Sequence, residues 1–324
     1  MKGGLTMASL VAGVGKYQYE VIHDWGEVPS EIKYGNTHGV VEDSQGYIYV
    51  FHTVYATSPR KDAMVVFDPD GKFVRSWGQD FAGGAHGLHI NHEDNQQFLY
   101  LCDIKRSLVV KTTLSGEEVL RLGYPNESPQ YHLDNKGKPS TKYVPTNVAV
   151  ATNGDIYVAD GYGSSFINQY NSKGEFIRTF GGYGSQSGQL ACPHGLIVDK
   201  RGDQVVLMVA DRGNNRIQNF TLKGEPLNYV EGTHLPCHFD EYQGLIVAPD
   251  LGARVTLLDQ NNHVINHLGE DPSGTWRELR LENREKFPLG KFVCPHGACF
   301  DHEGNIFVVE WVEIGRITKL RKLS

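Results

Sequence analysis

The chain repeats itself. Residues Val144 to Gly182 (VPTNVAVATNGDIYVADGYGSSFINQYNSKGEFIRTFGG) are followed by Cys192 to Gly232 (CPHGLIVDKRGDQVVLMVADRGNNRIQNFTLKGEPLNYVEG), with the same order of short apolar runs, turn glycines and closing strand. A unit of this size cannot bury its apolar surface alone and must stack on copies of itself, which leaves few architectures open. Each unit reads as four strands: an inner one (GLIVD), a second (IYVAD, VVLMVAD), a third (RIQNF) and an outer one (EFIRTFG). Asn-Gly, Lys-Gly and Asp-Gly type signals between them favour hairpins. Weaker copies begin at Thr37, Ala85, Pro236 and Pro295, which makes six.

The last copy supplies three strands and then the chain stops. Residues Lys16 to Gly26 (KYQYEVIHDWG) resemble the outer strands GKFVRSWG and GEFIRTFG, so they are expected to complete that copy. Such pairing satisfies two edges that would otherwise expose unpaired N–H and C=O groups. The reading is all-β: a six-bladed β-propeller over 17–324, preceded by a loose tail over 1–16. A linear solenoid would need capping units at both ends, and none is apparent. The segment Asp211 to Arg216 (DRGNNR), with the Val-Ala-Asp before it, resembles the NHL-repeat pattern. Two stretches exceed the repeat, 124–143 and 271–293, each between an outer strand and the next inner strand. Both are therefore expected near one mouth of the central channel, as walls or lids.

Composition narrows the partners. A net charge of -7 gives a nucleic acid or an anionic membrane no electrostatic reason to bind. No apolar run approaches the length of about 20 residues that spans a bilayer. The 5 cysteines, Cys102, Cys192, Cys237, Cys294 and Cys299, are odd in number and lack CxxC spacing. That pattern points to a reducing compartment and a cytoplasmic protein. A small-molecule substrate is the partner class that remains.

The sharpest signal is histidine. His38, His86, His194, His238 and His296 stand at or beside the start of five inner strands, with Asn147 at the corresponding point of the third. Inner strands begin around the channel mouth, so side chains from successive blades converge on the axis. His86, His194 and His296 come from alternate blades, and three imidazoles with an open fourth position suit a catalytic zinc. Manganese, iron or copper could use the same ligands. Any one of these histidines alone reads as a hydrogen-bonding partner of a neighbouring blade; the three together read as metal ligands. His38, His238 and Asn147 are candidates for substrate contact, with channel packing as the alternative for the two histidines. Cys192 and Cys294 have apolar neighbours and read as buried packing residues.

These motifs resemble the peptidyl-α-hydroxyglycine α-amidating lyases, six-bladed NHL-type propellers. The resemblance implies a zinc held by three histidines from alternate blades, here His86, His194 and His296, the last two within Pro-His-Gly. It also implies a catalytic tyrosine in Asp-Gly-Tyr after a Val-x-Asp strand, here Tyr162, and a substrate-binding arginine after the next Val-Ala-Asp, here Arg212. Three positions depart from the family. Thr53 stands where a second arginine follows Phe-His, leaving Arg60 as the nearest replacement in sequence. Gly297 stands where an aspartate helps hold a structural calcium, so that ion loses a ligand. Gly163 replaces a disulfide cysteine, consistent with an intracellular chain.

The expectation is a metal-dependent lyase that works at the channel mouth on a small hydroxylated substrate. The metal would lower the pKa of a bound hydroxyl, Tyr162 would act as general base or relay, and Arg212 would hold a carboxylate or oxyanion. From spacing alone Tyr162 could instead be a turn residue, and Arg212 an ion-pair partner of Asp211. Two other functions compete: a non-catalytic NHL propeller that binds a protein or peptide, and a lactonase-like hydrolase. The latter would hold its metal, often calcium, mainly through carboxylates and Asn.

Overall fold

A computed structural model describes residues 9–323. Six antiparallel sheets form the blades of a ring. The first blade runs Thr37–Glu42, Ile48–His52, Met64–Phe67 and Phe73–Trp77 from axis to rim. The second runs Ala85–Glu93, Gln96–Asp103, Leu108–Thr113 and Glu118–Leu122, and the third Asn147–Val150, Ile156–Ala159, Phe166–Tyr170 and Phe176–Gly181. The fourth comprises Pro193–Asp199, Val206–Asp211, Arg216–Phe220 and Pro226–Val230; the fifth comprises Asp240–Tyr242, Leu245–Asp250, Arg254–Leu258 and Val264–Leu268. In the sixth, Pro295–Phe300, Ile306–Glu310 and Arg316–Lys322 are joined by Tyr19–His23, which pairs antiparallel with the last of them from Tyr19↔Lys322 to His23↔Thr318. The N-terminal strand thus closes the ring.

The expected loose tail differs in its described part. Val11–Ala12 pairs with Tyr19 and Glu20 as a fifth strand of the closing blade, and Ala12 is buried in its core. Residues 1–8 of that tail lie outside the described residues.

The period-two geometry of a strand sends alternate side chains to opposite faces, and here both faces are covered by neighbouring blades. In the first blade Val40, Ile48 and Val50 pack against Phe307 and Val309 of the sixth. Val41, Tyr49 and Phe51 pack against Leu88, Leu99 and Leu101 of the second. Equivalent clusters fill the other four interfaces, so the apolar core is itself a closed ring. A linear array would leave the sixth-to-first cluster open to water. Among the described residues no helix is long and apolar enough to cross a membrane, and none of the five cysteines is disulfide-bonded.

Candidate metal centre

Five blades carry a buried acid at the mouth, as the last residue of the second strand or, for Asp160, the residue just after it: Asp103, Asp160, Asp211, Asp250 and Glu310. In the pairing register, the residue opposite that end is Ala85 in the second blade, Pro193 in the fourth, Pro236 in the fifth, Pro295 in the sixth, and Thr37 opposite His52 in the first. The next residue in each case faces the mouth. The resulting ring is His38, His86, His194, Cys237 and His296, and Thr146 holds the equivalent place in the third blade because its carbonyl receives His86 Nδ1 as those of Cys237 and His38 receive His194 and His296. This corrects the reading from sequence, which put Asn147 and His238 at the repeat position. They lie one residue further on, and a one-residue slip sends a strand side chain to the other face. Cys237 and Thr146 take their places because each follows a proline, as His194 and His296 do.

Local backbone form explains how the imidazoles reach the axis. Pairing between first and second strands shifts register at the His-Gly step in the first, second, fourth and sixth blades. Such bulges re-aim a side chain and recur beside active sites. The glycine after each histidine has a separate role. A Cβ on Gly87 would lie 2.3 Å from Thr146 O, one on Gly195 2.6 Å from Cys237 O, and one on Gly297 2.5 Å from His38 O. Only glycine lets the following blade come this close. Those same carbonyls receive the Nδ1–H of the preceding histidine: His86 to Thr146 O at 2.8 Å, His194 to Cys237 O at 2.7 Å and His296 to His38 O at 2.9 Å. Alternate blades thus repeat one device three times, and each leaves an Nε2 lone pair turned away from the backbone.

The three rings approach one another closely, with centroids 4.8 Å apart for His86–His194, 4.9 Å for His86–His296 and 4.7 Å for His194–His296. His38 joins them, its Nδ1 3.3 Å from His296 Nε2 and its ring centroid 4.7 Å from that of His86. Two sets of ligand atoms lie within 4.8 Å of one another, His38 with His86 and His296, and His194 with Cys237 and His296. They share His296. Tyr162 Oη is 3.1 Å from the Nε2 of both His86 and His194. Burial drives the imidazole pKa down, to about 3 for His86 and well below the usual range for His38, His194 and His296. Arg212 pushes all four the same way. The cluster is therefore neutral at ordinary pH, as metal ligation requires.

Arg212 reaches the site with Nη1 3.3 Å from Tyr162 Oη and Nη2 3.1 Å from Cys192 Sγ. It makes no ion pair among the described residues, since Asp211 is taken by Arg216, Asn214 and the Ala191 amide. Burial pushes the Tyr162 phenol up to about 12, with Arg212 opposing. Cys192 is thus half-buried against a cation, whereas Cys294 packs in an apolar cluster with Trp276. His238 lies apart from the ring, its Nδ1 3.1 Å from Ala298 O. Asn147 turns its Oδ1 to the Val148 amide. Arg60 does not fill the place left by Thr53; it bonds Ser76 and Glu31 and lies over Phe73 of the outer strand. Both long stretches do pack at the mouth. Tyr131 of 124–143 donates to Asp160, and Trp276 and Phe287 of 271–293 are buried beside Cys237 and Cys294.

Known proteins are similar to this chain in sequence. The peptidyl-α-hydroxyglycine α-amidating lyase 1 of Drosophila melanogaster is 30% identical over 221 residues, 59% of this chain and 38% of that protein. A probable lyase of the same name from Caenorhabditis elegans is 24% identical over 315 residues, 89% of this chain and 83% of its own. The chain resembles the peptidyl-α-hydroxyglycine α-amidating lyases. The rat peptidylglycine α-amidating monooxygenase is 30% identical over 234 residues, but the match spans only 22% of that larger protein. No protein-family model matches. Among solved structures, a streptogramin B lyase superposes with a TM-score of 0.60 at 12% identity, over 94% of this chain and 97% of that one. A gluconolactonase from Xanthomonas campestris gives 0.62 at 13%, over 97% and 96%. These two share the propeller fold with the amidating-lyase-like chain.

Proposed function

We propose that the channel mouth is the active site of a metal-dependent lyase acting on a small hydroxylated substrate of the α-hydroxyglycine type. The observation that carries this reading is the threefold commitment of Nδ1 to a backbone carbonyl in His86, His194 and His296. Metal-bound imidazoles characteristically donate their second nitrogen in this way, which fixes tautomer and ring orientation. Nitrogen and sulfur donors without a free carboxylate suit zinc or another borderline metal better than calcium. The five acids nearest the mouth are all hydrogen-bonded within the protein, which counts against a carboxylate-held metal of the lactonase kind.

A divalent ion held by these histidines would lower the pKa of a substrate hydroxyl toward neutrality. The phenolate form of Tyr162 would take that proton. As the free phenol it is protonated, so its base strength depends on nearby positive charge, of which Arg212 is one source. Loss of the hydroxyl proton allows the carbon–nitrogen bond of the carbinolamide to break. The oxygen becomes an aldehyde carbonyl, the bonding pair returns to nitrogen, and the proton passed through Tyr162 completes the product amide. Arg212, with no carboxylate of its own, holds that of the substrate through its planar fork.

The test is His194→Ala. The variant is expected to lose metal, measured by plasma emission on purified protein, and with it turnover of an N-acyl-α-hydroxyglycine. Full metal content in the folded variant would refute the site.

A further inference from the structure

Arg280 belongs to none of the repeats. It follows the short helix Trp276–Leu279 in the 271–293 segment, whose Trp276 and Phe287 are buried in one cluster with Val312 and Cys294. The guanidinium lies over Trp311, its Cζ 3.4 Å from the ring centroid, with Nε 3.4 Å from Trp311 O and Nη2 3.5 Å from Asn36 Oδ1. Trp311 directly follows the buried Glu310 at the mouth end of the sixth blade, and Asn36 precedes His38 by two residues. Arg280 thus stands over the seam between the sixth and first blades. Arg212 stands on the fourth blade, across the histidine cluster.

Three neighbouring arginines are engaged in ion pairs, whereas Arg277 lies over the Trp276 ring. Arg284 pairs with Asp24, Arg316 with Glu310, and Arg254 with Asp250 and Glu270. Arg280 has no carboxylate partner among the described residues. Glu313 is the acid that acts on it, and it sits exposed and forms no ion pair with it. The mouth therefore carries two guanidinium groups, those of Arg212 and Arg280, that form no ion pair among the described residues. Holding a half-buried charge unpaired is costly unless a ligand supplies the counter-charge. Nε and Nη2 each donate once within the protein, which leaves Nη1 for a carboxylate.

We propose that Arg280 is a specificity residue, and that with Arg212 it selects a substrate carrying a negative group on each side of the reacting carbon. This deepens the lyase reading and rests on it: Arg212 takes the α-carboxylate, and Arg280 takes a second carboxylate on the acyl side. The substrate class is an N-acyl-α-hydroxyglycine whose acyl group is itself acidic.

The probes are N-succinyl-α-hydroxyglycine and N-propionyl-α-hydroxyglycine, which differ in that one carboxylate. The metal-loaded protein is expected to favour the succinyl compound in kcat/KM by about 10- to 100-fold, the range of one charge-assisted bond. In Arg280→Gln that ratio should fall to near one, chiefly through KM, while Arg280→Lys should keep part of it. Calorimetric titration of glutarate gives a readout free of turnover, with binding to the unaltered protein and at least tenfold weaker binding to Arg280→Gln. An unchanged ratio in a folded Arg280→Gln would overturn the proposal and leave the lyase reading intact. Failure to turn over either probe, with metal bound, would overturn the lyase reading instead.

Discussion

Gly195→Ala probes the link between backbone approach and metal chemistry. The added methyl would lie 2.6 Å from Cys237 O and 2.7 Å from His238 Cα, against an ordinary contact of 3.4–4 Å. Both obstacles are backbone, so the fourth and fifth blades must separate by close to 1 Å, an overpacking cost of about 1–3 kcal/mol. The same movement carries the Cys237 carbonyl away from His194 Nδ1, now 2.7 Å distant, toward the limit of hydrogen bonding. Losing such a partner weakens metal binding by about 10- to 100-fold. The assay is a competition titration of zinc against a chelator, run beside thermal denaturation. Gly202→Ala is the control: its Cβ would meet only Gln204 O at 3.8 Å, so stability should stay within about 0.5 kcal/mol. A folded Gly195→Ala protein with unaltered zinc affinity would refute the argument that blade approach sets the ligand tautomer.

Acid should destabilise the metal-free protein. Burial lowers the folded pKa to about 3 for His52 and His86 and about 4 for His89 and His238, so as pH falls below about 6.5 the unfolded chain takes up protons first. Their stabilisation is present above that pH and lost on the way down to the folded values, about 2 kcal/mol for each between pH 7 and 5. Burial also raises Asp160 and Asp250 to about 6 and Asp240 to about 7, which works in the opposite direction and leaves a net loss of a few kcal/mol. A thermal midpoint that does not move between pH 7 and 5 would contradict the buried neutral cluster. Removing residues 1–24 exposes the edge of Arg316–Lys322 and withdraws Tyr19 and Val21 from the core, at about 1.5–3 kcal/mol per side chain. That protein should aggregate in size-exclusion chromatography, and a monomer of normal thermal stability would show that ring closure is dispensable.

Much of the architecture was legible because its cause is local and repeated. Alternating apolar runs with turn glycines specify strands, and an incomplete last unit with a matching segment at the start specifies closure. The histidines of alternate blades were legible for the same reason, since equal repeat positions become neighbours on the axis. The slip at Asn147 and His238 has a physical origin too. The His-Gly bulges disturb the count of residues, whereas the proline before Thr146 and Cys237 was the marker that keeps it.

Arg280 and Trp311 could not be found in this way. They meet through the path of a non-repeating segment across the mouth, and no periodic pattern encodes that path. The protonation state of the cluster is likewise a tertiary property: its imidazoles stay neutral to low pH because the blades exclude water from them. By itself the sequence determined the number of blades, how the ring closes and which residue types line its axis, because strand alternation and repetition act at short range. The tertiary structure alone decided which atoms of those residues face one another and which charges at the mouth remain without a partner, because both depend on how closely separate blades approach.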